Sequence, residues 1–142
     1  MFPNISVNVA PDGIRVPPEM VSLAIDEFPA FFIAAAAATG ETVVTGAAEL
    51  RVKESDRLAV MAEGLSTLGI HCELLSDGLK LQGGAMHGGV VRSHADHRIA
   101  MAFAVASLRA SAPIRIEAVA NVATSFPGFA ATARHIGLDL VD

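Results

Sequence analysis

The stretch Asp26-Glu-Phe-Pro-Ala-Phe-Phe-Ile-Ala-Ala-Ala-Ala-Ala-Thr39 is apolar on nearly every side after its first two residues. A second stretch of the same kind, Asp96-His-Arg-Ile-Ala-Met-Ala-Phe-Ala-Val-Ala-Ser-Leu108, follows further along the chain. Both read as helices, and a helix without a polar face has to be covered all round. About seventy residues separate Asp26 from Asp96, and the same interval separates Ser55 from Ser125, each of which is read as opening an amphipathic helix. The chain is therefore internally repetitive. Between the helices each copy carries a β-branched segment, Glu41-Thr-Val-Val-Thr45 or Pro113-Ile-Arg-Ile-Glu117, which reads as a strand.

The second helix of the first copy places Leu58, Met61, Leu65 and Leu68 on a stripe opposite Glu63 and Ser66, so it has one solvent face. After it come Ile70 to Leu75, Ser76-Asp77-Gly78 and Leu79 to Leu81, a hairpin pattern in which Asp-Gly supplies residues tolerant of positive φ. The N-terminus repeats this pattern, with Ile5 to Val9, Pro11-Asp12-Gly13 and Ile14 to Val16. Leu138 to Asp142 leaves room for only one strand of a final hairpin. The expected organisation is a hairpin from a preceding unit over 1–16, one unit over 20–82 and the next over 90–142. The expected class is α/β, with buried helices at the centre and strands covering them.

A chain of 142 residues, 52% of them hydrophobic, is long enough for one sizeable core. Its apolar run Ala30 to Ala38 is far below the roughly 20 residues that cross a bilayer, so no membrane association is expected. The start of the chain lacks a secretory pattern and Cys72 is the single cysteine, which together read as cytoplasmic. Net charge is −5, without a Lys/Arg block, and Trp and Tyr are absent, so no nucleic-acid partner is expected.

Three charged clusters sit at helix entrances. Asp26 precedes Phe28-Pro29 and reads either as an N-cap or as a functional carboxylate. Arg51-Val-Lys-Glu-Ser-Asp-Arg57 offers Ser55 or Asp56 as a cap and puts Glu54 and Arg57 on one side of the entrance, although such a run can also be a solvated loop. In Ser93-His-Ala-Asp-His-Arg98, Arg98 opens an apolar helix and needs an anion, either a ligand or Asp96, while a lone His97 is more often structural. The repeat places the first and third clusters at equivalent helix starts. Arginine forks suit carboxylate or phosphate, so Arg57 and Arg98 point to an anionic ligand, with Asp26 and Glu54 beside it for proton transfer. No Ser-His-Asp pattern, nucleotide loop or zinc spacing competes.

Three motifs in order, Ala24-Ile-Asp-Glu-Phe-Pro29, Leu50-Arg-Val-Lys-Glu-Ser-Asp-Arg-Leu58 and Asp96-His-Arg-Ile-Ala-Met101, with Ala123-Thr-Ser-Phe-Pro127 after them, resemble the signature of the 5-enolpyruvylshikimate-3-phosphate synthases. The resemblance covers the chain from about Val16 onward. It implies an inside-out α/β barrel of βαβαββ units, of which this chain, as a partial C-terminal domain, carries about two of three. It also implies a shikimate-pathway transferase, of a family targeted by glyphosate, that moves the enolpyruvyl group of phosphoenolpyruvate to the 5-hydroxyl of shikimate-3-phosphate without a metal or organic cofactor. In that scheme Asp26 is a base toward the hydroxyl, Glu54 shuttles a proton at the methylene and His97 supports the site; Lys53 contacts shikimate-3-phosphate, while Arg57 and Arg98 bind phosphoenolpyruvate.

Thr124 stands where many members of the family have a lysine, and no ligand role is carried to it. The family's N-terminal Lys-Ser turn and Ser-Ser-Gln segment have no counterpart, so the expected partner is the missing N-terminal part of the enzyme, and the chain alone is expected to be inactive. Two alternatives stand beside this reading: a non-catalytic domain of the same fold, and the related enolpyruvyl transferase of cell-wall synthesis.

Overall fold

The structure, a computed structural model, describes residues 12–141; the strand expected over 5–9 lies outside them. Strand β1 (Arg15–Val16) leads through α1 (Pro18–Val21), a 3-10 segment (Ser22–Glu27) and α2 (Phe28–Ala37) to β2 (Gly40–Val44). A second 3-10 segment (Ala48–Val52) opens into α3 (Arg57–Thr67), followed by β3 (His71–Leu75) and β4 (Gly78–Gly83). The next copy runs β5 (Gly89–Arg92), α4 (His97–Ala106), β6 (Ile114–Glu117), α5 (Ala120–Ser125) and α6 (Phe129–His135).

Parallel neighbours need a crossover connection, and in both copies the apolar helix supplies it. Across α2, β1 pairs parallel with β2, Arg15 opposite Val43. Across α4, β5 pairs parallel with β6, Gly89 opposite Ile114 and Arg92 opposite Glu117. The first sheet continues antiparallel, in the order β1-β2-β4-β3, with Val44 opposite Leu79 and Leu75 opposite Gly78. The two crossover helices pack on each other and α3 packs on both. Phe32, Leu58, Met61, Leu65 and Phe103 are fully buried where they meet. Each such side chain contributes about 1.5–3 kcal/mol relative to exposure.

Several expectations are changed by the packing. Helix α2 is not covered all round, because Ala30 and Ala34 are exposed. The hairpin β3–β4 falls at the expected place by a different device, since neither Asp77 nor Gly78 has positive φ. Instead the Asp77 carboxylate accepts the Gly46 backbone N–H at 2.9 Å, and Gly78 lies against the Val44 carbonyl, leaving no room for a Cβ. Ser125 ends α5 rather than opening a helix; Pro127 cannot continue the hydrogen-bonded ladder, and α6 begins at Phe129 after Gly128. Among the described residues, Leu138 to Val141 form no strand; Leu138 instead packs with Ala133 and Ala104 in a small second cluster.

The apolar run is also longer than the sequence reading allowed. Pro18–Ala37 is a 20-residue helical stretch broken by a kink, with a mean hydropathy of 1.6 over an 18-residue window, long and apolar enough to cross a membrane by length and composition only. The core helix of a globular domain passes the same test. Here the run is interrupted at Ala24 (φ −131°, ψ 26°), and Phe28, Phe32, Ile33, Ala35 and Ala36 are buried inside the domain.

At Gly64 of α3 an added Cβ would enter the ring of Phe103 on α4. Alanine is favoured over glycine in a helix by about 1 kcal/mol, but overpacking a full core costs about 1–3 kcal/mol. Gly64→Ala is therefore expected to lower the urea unfolding midpoint. In a Phe103→Leu background, where the ring is gone, the same substitution should cost nothing or stabilise; a Gly64→Ala penalty that is the same in both backgrounds would contradict this contact.

Candidate active site

The entrances of α2, α3 and α4 meet at one end of the helix pack. Each is built by local chemistry. Helix α3 is capped by Asp56, whose Oδ1 accepts the Ala59 backbone N–H at 3.0 Å while Oδ2 accepts Arg51 Nη1 at 2.7 Å. Arg51 in turn donates to the Ser76 and Leu75 carbonyls, fixing this entrance to the β3–β4 turn. Helix α4 is capped by Asp96, whose Oδ1 accepts the Arg98 backbone N–H at 3.0 Å. Asp26 does not cap α2: it lies within the 3-10 segment and makes no cap hydrogen bond, and the N-cap position is taken by Glu27. Its carboxylate is free to turn toward α3.

At the centre is Arg57, only 1% exposed. Its Nε donates to Asp96 Oδ2 at 2.8 Å and its Nη2 to Asp96 Oδ1 at 3.3 Å. Its Nη1 donates to Asp26 Oδ1 at 3.0 Å and its Nη2 also to Glu54 Oε2 at 2.6 Å. The Asp96 side chain is 0% exposed, whereas those of Asp26 and Glu54 are 45% and 52% exposed. Lys53 reaches Asp26 at 3.5 Å and Glu49 at 2.6 Å. Arg98 closes the other side, with Nη1 donating to the Asp26 carbonyl at 3.0 Å and lying 3.5 Å from Glu27. Arg98 therefore does not pair with the Asp96 carboxylate through its side chain, because Arg57 already fills that position.

These contacts set the charge states. Burial alone would push the Asp96 carboxyl up, but hydrogen bonds from Arg57 and Ser55 and the Arg98 N–H outweigh it and hold the group below the usual carboxylate range. Burial likewise opposes the charge on Asp26, and Lys53, Arg98 and Arg57 together depress it. Burial would lower Arg57; its partners, Asp96 first, raise it instead. Lys53 is raised chiefly by its hydrogen bond to Glu49. Asp26 and Asp96 are thus held as anions around Arg57, the cation they share.

The turn before α4 is held against strain. His94 and Ala95 both have positive φ (51° and 60°), as does Ala118 beside them (62°). Such conformations cost about 1–3 kcal/mol each and persist where surroundings over-determine them. Here the buried Ser93 hydroxyl reaches the Glu117 and Ala118 carbonyls at 3.0 and 2.8 Å, and Asn121 Nδ2 donates to the Ala95 carbonyl at 2.6 Å.

Five of the residues singled out from the sequence, Asp26, Lys53, Glu54, Arg57 and Arg98, are brought together by this arrangement. His97 is the first residue of α4 and half-buried, and among the described residues no hydrogen bond or ion pair ties its imidazole to the cluster. Asp96, Ser55, Ser93 and Asn121 were not expected as site residues. The signal for Asp96 was present, since a carboxylate at the mouth of a buried helix needs a cation, but that cation lies in the other repeat. Among the described residues there is no group of three or more His, Cys, Asp or Glu placed to hold a metal ion. A groove of about 190 Å³ between α2 and α4 has Asp26, Glu27 and Arg98 at its mouth and Ile33, Met101 and Ala102 along its walls. A larger cavity of about 1450 Å³ lies under α5 and α6 among Val90, Phe103, Ile114 and Phe126, away from the ionic cluster.

What the arrangement offers chemically is three cationic side chains, Lys53, Arg57 and Arg98, interleaved with two half-exposed carboxylates. The family model described as EPSP synthase (3-phosphoshikimate 1-carboxyvinyltransferase) matches residues 3–132. Relatives named 3-phosphoshikimate 1-carboxyvinyltransferase include that of Methylococcus capsulatus, 62% identical over 128 residues, and that of Halorhodospira halophila, 65% identical over 127. These alignments take in 90% and 89% of this chain and 29% of each relative. The EPSP synthase structure from Acinetobacter baumannii superposes with a TM-score of 0.87 at 54% identity, over 89% of this chain and 30% of that one. The chain thus spans about three tenths of the length of the relatives it matches, and over that span both its sequence and its buried-helix α/β fold place it in the EPSP synthase family.

Proposed function

We propose that this segment forms one wall of an active site that transfers the enolpyruvyl group of phosphoenolpyruvate to the 5-hydroxyl of shikimate-3-phosphate. The observation that carries the reading is the convergence of Asp26, Lys53, Glu54, Arg57 and Arg98 from three helix entrances on one small region. Packing alone does not require such a concentration of charge, which argues against a non-catalytic domain of the same fold.

In the proposed reaction the hydroxyl oxygen adds to C2 of phosphoenolpyruvate while its methylene carbon takes a proton. The resulting ketal phosphate then loses phosphate, and the same carbon gives the proton back as the double bond re-forms. Asp26, held ionised by its cationic neighbours, accepts the hydroxyl proton, and Glu54 carries the proton at the methylene carbon. Arg57 and Arg98 hold the donor's anionic groups, Lys53 contacts the shikimate phosphate side, and His97 borders the same entrance. The remainder of the site would come from chain corresponding to the other seven tenths of the relatives, and the reaction would take place in the cytoplasm. Two repeats of one domain then follow one another; because β1 pairs across α2 with β2 as β5 does across α4 with β6, the first repeat opens at β1 and not at residue 20 as expected, and the second at β5.

The 142-residue chain alone should show no phosphate release with both substrates present, because the transition state needs both held in place. A chimera in which this segment replaces the matching part of the Methylococcus capsulatus relative should turn over; an inactive chimera that folds would overturn the reading. Arg98→Ala should weaken phosphoenolpyruvate binding, followed by NMR titration, by about 1.5–3 kcal/mol. Arg57→Ala should weaken binding similarly and also destabilise the fold by about 3–5 kcal/mol, since it strands Asp96. In the chimera, Glu54→Gln should lower kcat by about 10²–10⁴ with little change in KM, and should slow deuterium exchange into the phosphoenolpyruvate methylene. Near-normal turnover and exchange would reduce Glu54 to a charge partner of Arg57.

A further inference from the structure

We infer that Asp96 is the positioning residue for anion binding: it fixes the inner edge of the Arg57 guanidinium so that the outer edge is presented to the ligand. The inference rests on the reading of Arg57 as an anion-binding group. The guanidinium is divided between two kinds of partner. Nε and one side of Nη2 are taken by Asp96, which has no exposed surface. Nη1 and the other side of Nη2 are taken by Asp26 and Glu54, which are about half exposed. A carboxylate or phosphate arriving from solvent can exchange with the second pair. It has no route to the first.

Asp96 is suited to this because it cannot turn. Its Oδ2 also accepts the Ser55 hydroxyl at 2.9 Å, and its Oδ1 accepts the Arg98 backbone N–H at 3.0 Å. The backbone beneath it is the strained His94-Ala95 turn, pinned through Ser93 and Asn121 to the end of β6 and the chain just after it. A long arginine side chain gives up rotamer freedom when it binds a ligand; one already clamped at Nε has given it up in folding. The same carboxylate holds the main chain at Arg98, so the two cationic entrances are set relative to one another through a single residue. With no exposed surface, Asp96 is not placed to exchange a proton with a substrate, which separates its role from those of Asp26 and Glu54.

The test is Asp96→Asn in the 142-residue chain, read in two ways. Without ligand, ¹⁵N NMR should show a protected Arg57 Nε–H signal that is lost or averaged in the variant. With phosphoenolpyruvate as the probe, Kd should rise by on the order of tenfold or more. In an Arg57→Gln background, which itself weakens binding, adding Asp96→Asn should cause no further loss. This double variant removes both buried charges, so it keeps the comparison available if Asp96→Asn alone does not fold. A retained Nε–H signal with unchanged Kd, or a further tenfold loss on top of Arg57→Gln, would overturn the inference. Unchanged Kd in Arg57→Gln itself would instead sink the anion-site reading and this one with it. Loss in Arg57→Gln with none in Asp96→Asn sinks the positioning role alone.

Discussion

The Arg57 guanidinium has almost no exposed surface, and the arrangement of the helix entrances follows from the need to neutralise it. Removing one partner from such a buried pair costs about 3–5 kcal/mol, a large share of the stability of a domain this size. Asp96 meets that need from α4, Glu54 from the approach to α3, and Asp26 from the approach to α2. Three segments distant in sequence are thereby obliged to end at one place. The apolar bodies of the helices decide that they pack; the ion at their mouths decides in what register.

The repeat explains why those mouths coincide. Each copy carries its crossover helix between parallel strands, so both crossover helices start from the same side of their strand pairs. Helices that start side by side bring their entrance residues side by side, and α3, packed against both, shares the neighbourhood. The chemistry is therefore a property of the relation between copies, and neither copy holds a complete ionic set by itself.

Much of this was legible in the sequence. The apolar stretches after Asp26 and Asp96 gave both crossover helices, and the stripe of Leu58, Met61, Leu65 and Leu68 gave the face that α3 buries. What could not be read was partner choice. Asp96 and Arg98 are two residues apart and looked like a pair, yet the Asp96 carboxylate is claimed by Arg57, 39 residues away, and only the Arg98 backbone reaches it. Asp26 had the residue type of a cap, but the chain enters α2 through a tight 3-10 segment, where that side chain is turned to the cations instead. Near the C-terminus the helix expected to open at Ser125 begins only at Phe129, past Pro127-Gly128, and Ser125 instead ends a short helix that periodicity was too weak to show.

The distance along the chain between Arg57 and Asp96 has a further consequence, for the order in which the molecule assembles. A collapsed state in which α3 has docked without α4 leaves the Arg57 Nε buried without its acceptor, although Glu54 and Asp26 still balance the charge. Such half-formed states are raised in energy relative to both the open chain and the finished fold. The two copies are then expected to consolidate in one concerted step, limited by closing the loop between them, and slower than the local helices and hairpin would allow on their own.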